Sequence, residues 1–182
     1  MRNFQYLGSV NVTKLAHAVY RQPELWNQND IRSTYPGTPH AEVDDIILRW
    51  NVDKDIDGVI NGKECCNQES YLCLPGAREL VFDLMRFVEG EQLGRLLITR
   101  IKPGGAIEPH EDMGASAEYY DRYHIVLQGE KGNMFYCDTE QVQMLTGEVW
   151  WFDNKKTHSA VNNSATDRIH MIIDIRGSNA HL

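Results

Sequence analysis

Whatever this chain folds into must bring Pro109-His110-Glu111-Asp112 against Lys156-Thr157-His158-Ser159, with Arg168-Ile169-His170 close behind. In His110-x-Asp112 the two side chains leave the same side of an extended segment, because strand side chains alternate with period 2. Two imidazoles and one carboxylate occupy one face of an octahedral iron(II) ion and leave the other face open, the donor set of non-haem iron oxygenases. The second imidazole must come from a distant strand folded back beside the first, and His158 is the candidate. Arg168 follows ten residues after His158, room for a turn and a return strand. Its planar fork suits a carboxylate. His-x-Asp alone recurs by chance. Order, spacing and strand context together predict a metal face with a carboxylate anchor, and hence a bound keto-acid co-substrate.

Around these residues the periodicity is that of short strands. Residues 95–101, 123–128, 133–137, 142–145, 148–152, 158–161 and 168–175 read as strands, separated by Gly, Asn and Asp turns such as Pro103-Gly104-Gly105. Upstream, residues 4–10 and 46–50 read as strands. Asn11 caps a helix over 12–21 with Leu15, Ala18 and Val19 on one face. Residues 23–39 are loop-like, with Trp26 and Tyr35 packing or lining a pocket. A second helix over 77–88 has Leu80, Leu84 and Phe87 as its stripe. The polar stretch 51–67 holds Asp53, Asp55, Asp57 and Gly58, with Glu64 twelfth from Asp53. It mimics a calcium loop without flanking helices and reads as a solvated loop. The pattern predicts a mainly β protein: a double-stranded β-helix, jelly-roll or cupin-like, with the N-terminal helices packed on one sheet.

Composition removes other classes. The 182 residues fit one domain with a sizeable core, and a net charge of −8 argues against a nucleic-acid binder. No apolar run reaches membrane-span length, and the N-terminus lacks a signal-peptide core, so a cytoplasmic location without membrane partners is expected. Cys65, Cys66, Cys73 and Cys137 lack paired CxxC spacing and read as reduced thiols. Oligomeric state is not encoded in any pattern we identify.

From residue 93 to 176, a little under half of the chain, the sequence resembles the aspartyl/asparaginyl β-hydroxylase family of iron(II)- and 2-oxoglutarate-dependent oxygenases. The carrying motifs are Arg100-Ile101-Lys102-Pro103-Gly104-Gly105-Ala106-Ile107-Glu108-Pro109-His110-Glu111-Asp112, Arg122-Tyr123-His124-Ile125-Val126-Leu127 and Gly147-Glu148-Val149-Trp150-Trp151-Phe152-Asp153. His158-Ser159-Ala160-Val161-Asn162 and Arg168-Ile169-His170-Met171-Ile172-Ile173-Asp174 complete them. The carboxylate at Asp112, which vertebrate-type peptidyl hydroxylases lack, makes the chain most similar to the L-proline cis-4-hydroxylase branch. That branch's C-terminal extension is absent here.

The resemblance implies iron(II), 2-oxoglutarate and O2 as the cofactor and co-substrates. His110, Asp112 and His158 are the implied metal ligands and catalytic centre, and Arg168 the distal-carboxylate anchor. By the same resemblance Thr99 donates a hydroxyl to that carboxylate. Arg122 and His124 lie near the metal-bound end of the co-substrate or the substrate's carboxylate. His170 shares Arg168's side by alternation. Trp150, Trp151 and Phe152 read as barrel core. Residues 1–182 are expected to form a single oxygenase domain, with 1–92 as N-terminal strands and supporting helices and 93–176 as the jelly-roll catalytic core. The expected activity is hydroxylation of a C–H bond of a free, proline-like or other small amino acid, with succinate and CO2 as co-products. A peptidyl Asp/Asn/Pro hydroxylase is the alternative, and a non-catalytic small-acid-binding barrel a third reading. Asp44, Asp45, Arg49 and Arg32 are possible polar pocket residues.

Overall fold

Strand alternation organises the molecule, whose computed structural model describes residues 1–53 and 55–177. The chain runs β1 (Phe4–Ser9), α1 (Thr13–Tyr20), a 3-10 turn (Pro23–Leu25), α2 (Ile31–Thr34), β2 (Val43–Asn51), α3 (Ile56–Asn61), β3 (Cys65–Asn67), α4 (Ser70–Cys73) and α5 (Pro75–Phe87). The strands β4 (Gly90–Ile101) and β5 (Ala106–His110), helix α6 (Ala115–Tyr119) and strands β6 (Asp121–Gln128), β7 (Asn133–Cys137), β8 (Glu140–Gln143), β9 (Glu148–Phe152), β10 (His158–Asn162) and β11 (Arg168–Gly177) follow. They form a seven-stranded sheet in the order β1-β9-β6-β11-β4-β2-β3 and a four-stranded sheet in the order β5-β10-β7-β8. All pairings are antiparallel, as in a jelly roll.

Residues 1–92 are woven into this frame. They supply β1 at one edge of the large sheet and β2 and β3 at the other. One face of that sheet carries Ile46, Leu48, Leu96, Ile98, Ile125, Met171, Ile173 and Ile175, packed against Leu15 and Val19 of α1 and Ala77, Val81 and Leu84 of α5. Both helices therefore lie on the outer sheet face, as the patterning predicts. Each fully buried aliphatic side chain there contributes about 1.5–3 kcal/mol. Between the sheets, Phe4, Ile101, Val126, Phe135, Trp150 and Phe152 close one end of the barrel.

Three expectations change. Leu84 and Leu80 of α5 pack on the core as expected, joined by Ala77 and Val81, but Phe87 is 63% exposed. Gly76 and Ala77 carry the reason, because a small side allows close approach: a Cβ on Gly76 would already touch the Leu15 backbone at 3.5 Å. The stretch 51–67 contains α3, since Asp55 Oδ1 accepts from the Gly58 amide at 2.7 Å and starts a helix inside the supposed loop. Helix α6 follows the metal motif without a periodic apolar pattern to announce it. The Lys102–Gly105 turn is as expected: Gly105 N donates to Lys102 O at 2.9 Å, and Gly104 takes the φ of +81° that a type II turn demands after Pro103.

Candidate active site

His110 ends β5, and His158 begins β10 directly opposite it in the register. This cross-strand pairing sets the two rings 4.3 Å apart between centroids. Asp112 lies just past the strand, its amide donating to Asn154 O at 3.1 Å. One ligand atom from each of His110, Asp112 and His158 falls within 4.8 Å of the others, the one such grouping of His, Cys, Asp or Glu among the described residues. Each histidine uses the same local device. His110 Nδ1 lies 2.8 Å from Glu108 O, and His158 Nδ1 lies 2.8 Å from Lys156 O. A carbonyl only accepts, so Nδ1 carries the proton and Nε2 presents a lone pair. Burial pushes His158 down to about 4 and lowers His110 as well, keeping both in the neutral form that binds metal.

Asp112 Oδ2 is taken by two donors: Arg122 Nη1, in an ion pair, and Asn154 Nδ2 at 3.1 Å. That leaves Oδ1, 3.8 Å from His110 Nε2, as the free oxygen. Burial alone would raise this carboxyl. Arg122 beside it, with His158 and Asn154, instead holds it well below the usual carboxylate range. Arg122 is itself gripped from behind. Asp174, directly opposite across β6 and β11, accepts from Nε at 2.8 Å and Nη2 at 3.0 Å. All three guanidinium nitrogens thus face carboxylates, and against the penalty of burial these raise its pKa.

Further along β11, Arg168 is 2% exposed and has no carboxylate within ion-pair distance among the described residues. Its Nη2 makes no hydrogen bond, and its guanidinium lies 5.5 Å from the Phe135 ring centroid. Burial lowers its pKa to about 9. Thr99 and His170 oppose each other in the register, and His124 Nδ1 lies 3.2 Å from His170 Nδ1. Thr99 Oγ1, His124 Nε2 and His170 Nε2 are buried without partners among the described residues. Four orphaned polar atoms on three neighbouring strands are costly in an apolar interior, at about 1–3 kcal/mol each. Three of them can donate, Arg168 Nη2, Thr99 Oγ1 and the one imidazole Nε2 that keeps its proton, a cradle chemically fitted to an anion, with Phe135 between Arg168 and His158.

A cavity of about 120 Å³ adjoins Asp112, lined among others by Arg32, Tyr35, His40, Trp50 and Arg95. Arg32 does reach this wall, and Asp45 stands behind it, paired with it at 2.8 Å. Asp44 and Arg49 do not: Asp44 pairs with Arg100 and Lys102, and Arg49 binds Asn67 Oδ1 and Leu93 O. Tyr35 lines the cavity, whereas Trp26 packs beneath Arg100. Phe152 and Trp150 are core between the sheets, and Trp151 faces the helices.

Sequence reasoning missed Asp174, Arg95, Asn154 and His40. Strand alternation could have found two: Asp174 shares a face with Arg168 and His170, and Arg95 with Thr99. Asn154 and His40 sit outside regular strands, where no periodicity marks them.

A family model described as aspartyl/asparaginyl beta-hydroxylase matches residues 59–177, extending the similarity upstream of residue 93. The chain is 32% identical over 81 residues to an L-proline cis-4-hydroxylase from Rhizobium meliloti (strain 1021). That match covers 44% of this chain and 29% of the relative, well under two thirds of the relative's length. Among solved structures, a 2OG-Fe(II) oxygenase family oxidoreductase from Burkholderia pseudomallei superposes with a TM-score of 0.58 at 15% identity, covering 99% of this chain and 85% of that one. A Pseudomonas putida prolyl-4-hydroxylase superposes with a TM-score of 0.55 at 12% identity, covering 96% and 92%. At such identities these two likenesses speak for the fold.

Proposed function

The chain belongs to the aspartyl/asparaginyl β-hydroxylase family, and on that premise we propose that it is an iron(II)- and 2-oxoglutarate-dependent dioxygenase that hydroxylates a C–H bond of a small amino acid, proline-like or other. The balance is one 2-oxoglutarate, one O2 and one C–H in, and succinate, CO2 and one C–OH out. The observation that supports this reading is the fully buried Arg168, without a carboxylate partner among the described residues, on the large sheet, with Phe135 between it and His158 of the His110-Asp112-His158 cluster on the small sheet.

In this reading His110 Nε2, Asp112 Oδ1 and His158 Nε2 hold iron(II), which when bound supplies the oxidising chemistry with O2. Arg168 takes the distal carboxylate of 2-oxoglutarate in a fork, Thr99 donates its hydroxyl to it, and burial makes each contact stronger than in water. His124 and His170 share one proton between their Nδ1 atoms. One therefore presents an N–H and the other a lone pair at Nε2, a fixed polarity for orienting the co-substrate. Arg122 fixes the metal carboxylate. Phe135 and Phe152 exclude water around His158.

Two facts support a small substrate: the name of the Rhizobium relative and the size of the cavity. At about 120 Å³ the cavity is close to the roughly 150 Å³ that encloses a benzene-sized guest, so it suits a single small molecule. The test is substrate-stimulated conversion of 2-oxoglutarate to succinate across free amino acids and short peptides. A free amino acid should stimulate it. Stimulation by peptides alone would move the protein to the peptidyl hydroxylases, and no 2-oxoglutarate binding at all would end the reading.

A further inference from the structure

We infer that the substrate enters this site as a net anion, its carboxylate gripped by Arg95 and Arg32 while no acid bordering the cavity among the described residues is free to pair with an ammonium. This rests on the proposed iron and 2-oxoglutarate reading. Arg122, the obvious cation beside the metal cluster, has its three guanidinium nitrogens committed to Asp112 and Asp174.

Arg95 is differently placed. It projects from β4 on the same side as Leu97 and Thr99 and borders both cavities that touch Asp112. Its guanidinium is stacked 4.6 Å from the Trp50 ring centroid, Nε donates to Asn51 Oδ1 at 2.7 Å, and Nη2 donates to Val59 O. Nη1 makes no hydrogen bond with the described residues. A fork held from three directions with one amine free is pre-organised for a ligand carboxylate, so little side-chain entropy is lost on binding. Arg32 gives only Nη1 to Asp45, at 2.8 Å to each oxygen, and keeps Nε and Nη2. It stands on α2, upstream of the residues that the family model matches, so it can carry specificity peculiar to this chain.

Charge decides what the ligand brings. The inner wall holds four arginines, Arg32, Arg95, Arg122 and Arg168, and three aspartates, Asp45, Asp112 and Asp174. A divalent metal and dianionic 2-oxoglutarate cancel each other, leaving one positive charge. A zwitterion leaves that charge uncompensated. A monoanion neutralises it, and an uncompensated charge away from water is costly. The acids bordering the cavities, Asp112 and Asp174, are both occupied, and so is Asp45 behind Arg32. The nitrogen of the substrate is thus either uncharged, as in an N-acyl acid, or offset by a second carboxylate, as in an acidic amino acid.

The test is calorimetric binding to the iron(II)- and 2-oxoglutarate-loaded protein under anaerobic conditions, with L-proline, L-aspartate, N-acetyl-L-proline and L-prolinamide as probes. At least one monoanion, L-aspartate or N-acetyl-L-proline, should bind tenfold or more tighter than L-proline, and which of them does identifies the source of the charge. L-prolinamide should not bind. Arg95→Gln should loosen the preferred anion by about 30-fold or more, with Arg95→Lys recovering part and 2-oxoglutarate affinity within twofold of the parent protein. Arg32→Gln should loosen it as well, which guards against Arg95→Gln merely disturbing the wall. The inference is overturned if L-prolinamide binds as well as the anions, if both arginine variants keep the parent affinity, or if neither anion binds to protein that does bind 2-oxoglutarate. Failure of 2-oxoglutarate itself to bind would instead overturn the proposed function.

Discussion

The two faces of the seven-stranded sheet are built from alternate residues of the same strands, yet they serve opposite ends. On β11 the outward series is Met171, Ile173 and Ile175, all fully buried beneath helices, and the inward series includes Arg168, His170 and Asp174. On β4, Leu96 and Ile98 point out while Arg95 and Thr99 point in; on β6, Ile125 points out while Arg122 and His124 point in. The outward face is apolar and closed by α1 and α5, so it stabilises the fold. The inward face holds orphaned donors and an unpaired buried cation, which cost folding free energy and are worth retaining only for a ligand. One face carries stability, the other chemistry.

The sharpest way to break this comparison is at the metal cluster. His158→Ala, and likewise His110→Ala or Asp112→Ala, should abolish iron-dependent succinate formation and iron(II) binding by calorimetry, with little change in the melting temperature of the metal-free protein. Leu96→Ala on the opposite face should do the reverse. It should cost about 2–5 kcal/mol of stability while the folded fraction binds iron(II) normally. If two of the three ligand variants retain near-parent turnover, the site is elsewhere.

Arg168 comes next. Arg168→Met removes a buried charge with no counter-ion among the described residues and fills the same space with an apolar chain. The metal-free protein should therefore gain roughly 1–4 kcal/mol, read as a melting temperature higher by about 2–4 °C for each kcal/mol in a domain of this size. The same variant should lose 2-oxoglutarate affinity by about 30-fold or more, because a charge-assisted fork on a buried carboxylate carries roughly 2–5 kcal/mol. A variant that is both more stable and unable to bind is what a ligand-dedicated cation predicts. Parent-like 2-oxoglutarate titration would remove Arg168 from the cradle.

How much of this was legible in the chain follows the same division. Local period-2 alternation exposes Arg168 with His170, so these strand-borne groups could be read directly, whereas Asp112 lies past the end of β5 and is placed by its amide bond to Asn154 O. The limits of β7 (Asn133–Cys137) and β9 (Glu148–Phe152) also match the reading, because tight Gly- and Asn-bearing turns bound them. What depends on register could not be read. That Asp174 faces Arg122 and takes two of its guanidinium nitrogens needs β6 and β11 aligned to the residue. Nor could sequence show which of Asp44 and Asp45 turns inward, since both sit beside aliphatic neighbours and only the pairing with β4 decides. Loop residues such as His40 and Asn154 obey no period at all.

Asp174 offers a finer test of that register. It touches no candidate ligand atom, but it holds Arg122, which in turn holds Asp112 Oδ2. Asp174→Asn keeps the shape and removes the charge, so Arg122 should shift and Asp112 should be less well aimed. Outer partners of metal ligands typically alter affinity by about 10–100-fold, and a loss of that order in iron(II) affinity is expected by calorimetry. Asp174→Glu should restore part of it. A residue that merely stabilised the fold would lower the melting temperature without changing the metal affinity of the folded protein, and that result would count against the relay.

The smallest effect is expected from Ile98→Val, and it tests whether the two faces are energetically separate. Ile98 is fully buried on the outward side of β4, one residue from Thr99 on the inward side. Removing one methylene from a packed site costs about 0.5–1.5 kcal/mol, while valine keeps the β-branch that suits a strand. Distant, unshared sites add their free energies to within about 0.3–0.5 kcal/mol, whereas residues coupled through a backbone shift do not. If the sheet insulates its faces, Ile98→Val lowers the melting temperature of the metal-free and the iron(II)- and 2-oxoglutarate-loaded protein equally, and the ligand-induced increment is unchanged. A shrunken increment would mean that the helical layer positions Thr99 and Arg168 through the strand itself. The outward core would then belong to the site as much as to the fold.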